Sequence, residues 1–223
     1  LALTDALGLP RDGLHLELPL QLCDRLAVAQ RWPQLAQRPD ASYVCLHAGA
    51  QLPSRRWPVA RFAQVATALV AAGQTVVLTG TADERPLADA LLAAMPAPAR
   101  AGVLDVLGQT TLWQLGALVE RARLVVCNDT GTSHVAAALR VPSVVISSGS
   151  DTARWAPLDR VRHRVLAHPV ACRPCAHRSC PTAHECAVGI AAEQVIAAVH
   201  SQLAAFATRA AAADHTDRHA TPA

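Results

Sequence analysis

The sequence contains no lysine, a single methionine and a single tyrosine, and aromatic residues make up only 3% of its 223 positions. All 20 basic residues are therefore arginines, and the formal net charge is only +3. So small a charge, with so few rings on which bases could stack, argues against a nucleic-acid-binding protein. Scattered arginines suit a small phosphate-bearing ligand better, because a guanidinium can donate two parallel hydrogen bonds to phosphate oxygens.

Long apolar stretches are also absent, although 52% of the residues are hydrophobic. Alanine, valine and leucine come in short runs, and none reaches the roughly 20 residues that a membrane-spanning helix needs. The length suffices for one substantial domain with a buried core. The chain begins at Leu1 and shows no basic-then-apolar signal layout, which suggests a piece of a longer polypeptide.

Short apolar runs alternate with helical patterns through most of the chain. Nearly continuous apolar runs predict strands buried on both faces, and apolar residues at helical spacing predict helices. The predicted strands are 43–47, 74–79, 102–107, 124–127 and 143–147, and the predicted helices are 22–31, 59–72, 83–95, 111–122, 133–139 and 190–207. This alternation predicts an α/β fold with a Rossmann-like, doubly wound parallel sheet.

The remaining segments divide the chain into three parts. Residues 1–42, broken by prolines, are predicted to connect a neighbouring domain to the Rossmann-like domain at 43–208. Within that domain we expect a long loop over 149–188, which carries the cysteine-rich stretch 172–186. The alanine-rich polar tail, 209–223, is expected to be disordered.

The segment Asn128–His134, which spells N-D-T-G-T-S-H, directly follows a predicted strand and leads into a helix. Ligands of open α/β sheets bind beyond the carboxyl ends of the strands, and a helix N-terminus offers free N–H groups and a positive dipole to a phosphate. Asp129 would repel a phosphate, so it is expected to accept hydrogen bonds from sugar hydroxyls, while His134 can point back to the anion. Helix capping by Asp129 or Thr130 is an equally simple interpretation of either residue alone.

Two further charged residues lie near predicted strand ends. Arg55, in R-R-W-P, can offer its guanidinium to a diphosphate, or be one of a solvated arginine pair beside a core Trp57. Glu84 follows a glycine turn and can accept hydrogen bonds from a ribose diol. Taken alone, Glu84 is more simply a first-turn glutamate that favours the helix dipole.

Four of the seven cysteines, Cys172, Cys175, Cys180 and Cys186, form a C-x2-C-x4-C-x5-C cluster. Four thiolates can hold a zinc ion tetrahedrally, with His177 or His184 as substitute ligands. Disulfide bonds are the main alternative, and an iron–sulfur cluster is a further one. In every case we expect a structural brace for a long loop.

Six motifs follow one another along the chain: H-A-G-A at 47–50, R-R-W-P at 55–58, the turn 80–84, L-G-Q-T-T-L at 107–112, N-D-T-G-x-x-H at 128–134 and the cysteine cluster. Taken together and in this order, they resemble the heptosyltransferases of glycosyltransferase family 9 over residues 43 to about 200. The resemblance implies the C-terminal, donor-binding half of a GT-B fold, in which two Rossmann-like halves face each other across a cleft.

The resemblance also implies a function. The expected donor is an ADP-heptose-type nucleotide sugar, the expected acceptor is a lipid-linked saccharide of lipopolysaccharide assembly, and the transfer is inverting and needs no cofactor. Such an enzyme works in the cytoplasm or at the inner face of the bacterial inner membrane. Carried over by position, the donor-binding residues are Arg55 (a lysine in most of the family), Thr130, Gly131 and His134 at the phosphates, Asp129 at the sugar and Glu84 near the ribose.

The resemblance also implies that the general base of the family lies in its N-terminal half, which this chain is expected to lack. Inverting transfer needs a base for the acceptor hydroxyl, so we expect donor binding with little turnover unless a neighbouring domain or companion chain supplies it. Two alternatives stay open: a GT-B or epimerase-like enzyme that uses another nucleotide sugar, and a non-catalytic interaction module.

Overall fold

A computed structural model describes residues 2–10, 13–36 and 43–217. Its centre is one sheet of six strands in the order β3-β2-β1-β4-β5-β6, and every neighbouring pair is parallel. The strands are β1 (Tyr43–His47), β2 (Thr75–Leu78), β3 (Val103–Asp105), β4 (Leu124–Asn128), β5 (Ser143–Ile146) and β6 (His163–Leu166). The predicted doubly wound parallel sheet is thus confirmed.

Helices cover both faces of the sheet. They are α1 (Ala2–Ala6), α2 (Leu22–Arg31), α3 (Pro33–Ala36), α4 (Val59–Ala71), α5 (Arg85–Ala94), α6 (Ala97–Arg100), α7 (Leu112–Glu120), α8 (Gly131–Ala138), α9 (Thr152–Trp155), α10 (Glu185–Val188) and α11 (Ala192–Asp217). Short 3-10 turns occupy Pro53–Arg55 and Ala82–Glu84. None of the helices in the described part of the chain combines the length and apolar character that crossing a membrane requires.

Two predicted segments differ from the structure. The expected loop 149–188 contains a sixth strand, β6, which the apolar-run criterion missed because this edge strand is only partly buried and carries polar residues. The helix α11 continues to Asp217, where a disordered tail was expected from 209. Alanine has the highest helix propensity, so the alanine-rich segment extends the helix. Residues 218–223 lie outside the described part.

The core consists of two apolar clusters, one on each face of the fully buried strands β1 and β4. Trp57 is buried in one cluster, with its ring edge-on to Phe62 at 5.0 Å and its indole N–H donating to the carbonyl of Ile190 at 3.0 Å. The predicted core position of Trp57 is thereby confirmed. Cys45 and Cys127 are fully buried in the central strands, as predicted, and burial raises the pKa of Cys45 to about 12.

Part of segment 1–42, predicted to be a connection, packs against the Rossmann-like domain in the described structure. Helix α2 has the predicted bounds and packs against α7, where the Arg25 guanidinium forms two 2.7 Å hydrogen bonds with the Glu120 carboxylate. Val28 and Trp32 are buried in the core cluster on that face of the sheet. Residues 13–36 therefore belong to the folded domain. Residues 37–42 lie outside the described part.

A buried polar pair lies at the amino ends of β5 and β6, where Ser143 Oγ is 2.8 Å from His163 Nδ1. Burial lowers the pKa of His163 to about 4, while the charges of Asp159 and Arg162 act on it in opposite directions. An unfolded histidine has a pKa of about 6.5, so on acidification the unfolded chain takes up a proton before the folded chain does. Stability should therefore fall between about pH 6.5 and 4, by about 3 kcal/mol from this residue.

This loss should appear in urea unfolding measured from pH 7.5 to 4, and His163→Gln should remove the part of it that comes from this residue. Burial also lowers the pKa of His47, which contributes in the same direction and survives the substitution. His200→Gln, at an exposed position, serves as the control. An unchanged pH dependence in His163→Gln would contradict the assignment.

Candidate functional site

The sheet order reverses between β1 and β4, since the chain continues outward to β2 and β3 on one side and to β5 and β6 on the other. At such a switch point the loops after the two strands separate and leave a crevice at their carboxyl ends. Residues 48–50 form the loop on the β1 side, and residues 129–131 lead from β4 into α8. The predicted ligand turn thus lies where the topology places a binding crevice.

Asn128, the last residue of β4, holds the crevice together. Its side chain is fully buried, and Nδ2 donates to the carbonyls of Ala48 at 2.8 Å and Gly49 at 3.2 Å. Its Oδ1 accepts the backbone N–H of Trp57 at 3.0 Å. One amide thus joins three separate segments. The sequence shows Asn128 only as part of the N-D-T-G-x-x-H motif, although a polar residue that ends a buried apolar strand indicates such a role.

The N-terminus of α8 leaves its donors free. Thr130 occupies the N-cap position but its side chain caps nothing, and its Oγ1 is buried without a partner. Within the described chain, no group accepts the N–H groups of Gly131 and Thr132. A Cβ built on Gly131 meets no atom within 4 Å, so the space beside this first helical residue is open. Free N–H groups at a helix start with open space before them suit an anion.

Asp129 and His134 flank this helix start. The Asp129 N–H donates to the carbonyl of Ile146 at 3.0 Å, and its half-buried carboxylate accepts no hydrogen bond from the described residues. The His134 ring lies 6.4 Å from the Trp155 ring, tilted by 60°. Helix capping therefore does not account for Asp129, and its carboxylate is available to a ligand.

Glu84 lies on the β2 side of the crevice and has a local structural role. Its Oε2 accepts the N–H of Thr81 at 2.9 Å, which caps the turn before α5, and lies 3.8 Å from Nε2 of His47. A Cβ on Gly49 would lie only 1.8 Å from Glu84 Oε1. The carboxylate thus rests on the glycine backbone of the β1 loop. Glu84 thus serves the start of the helix and lies against the loop that follows β1.

Arg55 is not part of a solvated pair. Its Nη1 donates to Ser150 Oγ at 2.8 Å and its Nη2 donates to the carbonyl of Cys175 at 2.7 Å. No carboxylate pairs with this guanidinium in the described ranges. Its contacts place Arg55 beside the loop that follows β5, on the side of the crevice next to α8.

The cysteine-rich loop is fastened to the 3-10 turn at 53–55. Ser54 donates its N–H to the carbonyl of Arg178 at 3.1 Å and its Oγ to the carbonyl of His177 at 2.6 Å. The Ser54 carbonyl in turn lies 3.0 Å from Nε2 of His184. The loop thus covers the segment from which Arg55 extends, with His177 taking part through its backbone carbonyl and His184 through its ring.

The four loop cysteines carry free thiols. Burial raises the pKa of Cys186, the charge of Arg173 lowers it, and the charges of Cys172, Cys180 and Cys175 raise it. Hydrogen bonding to Thr182 lowers the pKa of Cys180. In the described part of the chain, no three histidine, cysteine or acidic side chains are arranged to hold a metal ion.

The sequence of the chain matches the profile of one protein family. The profile of the family described as glycosyltransferase family 9 (heptosyltransferase) matches residues 1–185. Lipopolysaccharide heptosyltransferase 2 of Escherichia coli K12 is 32% identical over 136 residues, which are 61% of this chain and 37% of that protein. The chain thus spans well under half the length of this curated relative.

Solved structures of two related proteins superpose on most of this chain. The E. coli ADP-heptose lipopolysaccharide heptosyltransferase II superposes with a TM-score of 0.73 at 25% identity, over 90% of this chain and 57% of that one. A glycosyl transferase family 9 structure from Veillonella parvula superposes with a TM-score of 0.74 at 22% identity, over 91% of this chain and 58% of that one. At this low identity the second likeness supports the fold alone.

Proposed function

The chain belongs to glycosyltransferase family 9, and from this premise we propose that it is the donor-binding half of a heptosyltransferase. The proposed donor is an ADP-heptose-type nucleotide sugar, and the proposed acceptor is a lipid-linked saccharide of lipopolysaccharide assembly at the cytoplasmic face of the inner membrane. The observation that carries the proposal is the open N-terminus of α8 at the switch point, with free N–H groups and open space in front of Gly131.

The chemistry follows from where charge develops. When the glycosidic bond to the donor breaks, negative charge grows on the leaving diphosphate, and fixed donors aimed at it lower the barrier. We assign this role to the N–H groups of Gly131 and Thr132, supported by His134 and the Arg55 guanidinium. Asp129 would accept hydrogen bonds from the sugar hydroxyls, which its unpartnered carboxylate supports.

Glu84 is proposed to accept hydrogen bonds from the ribose diol. The free lone pairs of its carboxylate and its place on the β2 side of the crevice support this role. The acceptor hydroxyl also needs a base to take its proton. We assign no residue of this chain to that role and propose that another domain or chain provides it.

Calorimetric titration with ADP, UDP, GDP and their sugars tests the donor assignment. We expect a clear preference for ADP and its sugars. Asp129→Ala should weaken ADP-heptose binding and His134→Ala should weaken ADP binding, each by about tenfold, without a change in the free energy of unfolding. His200→Ala, a histidine exposed on α11, serves as the control.

Other outcomes discriminate between the alternatives. A preference for UDP or GDP points to an enzyme with another nucleotide sugar, and absence of nucleotide binding points to an interaction module. If Asp129→Ala or His134→Ala unfolds the protein, that residue is structural. Efficient heptose transfer by the 223-residue chain alone would refute the proposal that its base lies elsewhere.

We further propose that Cys172, Cys175, Cys180 and Cys186 hold a structural zinc ion, a metal that four thiolates suit by charge and softness. The C-x2-C-x4-C-x5-C spacing supports this proposal. Since the described side chains do not surround a common point, zinc binding has to draw the four sulfurs together. Protein purified under reducing conditions without added zinc should carry about one zinc per chain, as four thiolates bind one ion. Four freely alkylated thiols without metal, two disulfides, or the visible absorption of an iron–sulfur cluster would each contradict it.

A further inference from the structure

Arg173, in the cysteine-rich loop, reaches the carboxyl end of β5 with its guanidinium. Nη1 donates to Ser147 Oγ at 3.1 Å and to the carbonyl of Ser150 at 2.6 Å. Nη2 donates to the carbonyls of Ser147 at 2.9 Å and His168 at 3.2 Å. Three of these four bonds fix the loop Ser147–Ser150 from both of its ends, and the fourth ties it to His168.

The partners of Arg173 are all neutral. None of the carboxylates in the described ranges pairs with its guanidinium, and its Nε is buried without a partner. The contacts of Arg173 therefore serve to hold the backbone and side chains around it, and none of them is an ion pair with a carboxylate.

The loop Ser147–Ser150 lies next to the start of α8. Asn128 pairs with Ile146 in the register of β4 and β5, and the N–H of Asp129 donates to the carbonyl of Ile146 at 3.0 Å. The residues that follow Ile146 therefore leave the sheet beside the turn that opens α8. Ser150 itself is only 4% exposed, so its position is fixed by packing as well as by hydrogen bonds.

Ser150 joins the two arginines. Its carbonyl accepts from Arg173, and its Oγ accepts from Arg55 at 2.8 Å. The other nitrogen of Arg55 donates to the carbonyl of Cys175, whose own N–H donates to the carbonyl of Gly149 at 2.8 Å. Both acceptors that orient the Arg55 guanidinium thus depend on the loop that Arg173 fastens.

We propose that Arg173 is a positioning residue of the donor site, which rests on the proposed function. It fastens the loop Ser147–Ser150 and thereby fixes the Arg55 guanidinium for the diphosphate of a nucleotide bound at the N-terminus of α8. A guanidinium that is ordered before binding loses less conformational entropy when the ligand arrives. Because Arg55 faces the diphosphate, this effect concerns ADP and not the nucleoside.

The test compares ADP with adenosine by calorimetry on the full chain. Arg173→Gln should lower the affinity for ADP about tenfold, the worth of a charged hydrogen bond, and leave adenosine binding unchanged. Arg173→Lys should recover only part of the loss, because an ammonium cannot form the fork of four bonds. When Arg55→Gln is already present, Arg173→Gln should cost much less, because coupled residues are not additive.

Two variants control this test. Arg178→Gln removes the same charge from an exposed position in the same loop and should leave ADP affinity unchanged. Ser150→Ala removes only the hydroxyl that orients Arg55, so it should weaken ADP binding even if Arg173→Gln fails to fold.

Equal losses of affinity for ADP and adenosine, full recovery by Arg173→Lys, or additive losses with Arg55→Gln would overturn the inference. If the wild-type chain does not bind ADP, the proposed function fails; if it binds and neither Arg173→Gln nor Ser150→Ala weakens it, only this inference fails.

Discussion

Gly131→Ala is expected to abolish most ADP binding while leaving the free energy of unfolding unchanged or slightly higher. A Cβ at this position meets no protein atom within 4 Å, and Gly131 is not in the left-handed region, so the fold itself does not require glycine. At an early helical position alanine is favoured over glycine by up to about 1 kcal/mol. The open space is where a phosphate would approach the free N–H groups. A methyl group there would hold the phosphate away and cost about 100-fold in affinity, the worth of one or two charged hydrogen bonds.

The measurements are calorimetric titration with ADP and urea unfolding without ligand. Gly49→Ala provides the contrast, because its Cβ would lie 1.8 Å from Glu84 Oε1 and should lower stability as well as binding. Adenosine affinity should survive Gly131→Ala, since the nucleoside has no phosphate to be displaced. If Gly131→Ala destabilises the chain and binds ADP normally, glycine serves the fold and the phosphate assignment is wrong.

The sheet was predictable because its central strands have a clear pattern in the sequence. The strands β1 and β4 are buried on both faces and are therefore continuous apolar runs. The edge strand β6 is exposed on part of its surface, and its sequence H-R-V-L begins with two polar residues, so it resembles a loop. The position of the ligand turn followed from the same logic, because a strand that ends in a turn before a helix fixes both the sheet edge and the helix start.

The partners of the site residues were not predictable, because they are distant in the sequence. Arg55 binds groups 95 and 120 residues away, and Asn128 binds groups 71, 79 and 80 residues away. Spacing within one element indicates which residues share a face, but it carries no information on contacts between loops. For this reason the sequence suggested Arg55 as a phosphate ligand without its acceptors, and gave no role to Arg173.

Asn128→Ala should destabilise the folded chain by about 3 kcal/mol, because it leaves one N–H and two carbonyls of the crevice without their partner at about 1 kcal/mol or more each. Asn128→Asp has nearly the same shape, yet its carboxylate would face the carbonyl oxygens of Ala48 and Gly49. Repulsion and burial raise the pKa of such a carboxyl above the roughly 3.9 of an unfolded aspartate. In its neutral form the carboxyl can again donate one hydrogen bond.

The two variants should therefore differ in their response to pH. A folded-state pKa above the unfolded value means that the folded Asn128→Asp chain binds more protons, so its stability relative to wild type rises as the pH falls through that pKa. Asn128→Ala has no added titrating group, and its deficit in stability relative to wild type should stay constant.

Gln194→Glu makes the same amide-to-carboxylate change at an exposed position, where the acceptor role toward the N–H of Ala191 survives. Urea unfolding of all four proteins between pH 8 and 5 gives these differences directly, and a constant deficit for Asn128→Asp would mean that its carboxylate has moved away from the two carbonyls. The Asn128 amide joins the β1 loop to the segment before α4. The ADP affinity of Asn128→Asp should therefore rise together with its stability as the pH falls, because this one side chain determines the shape of the crevice.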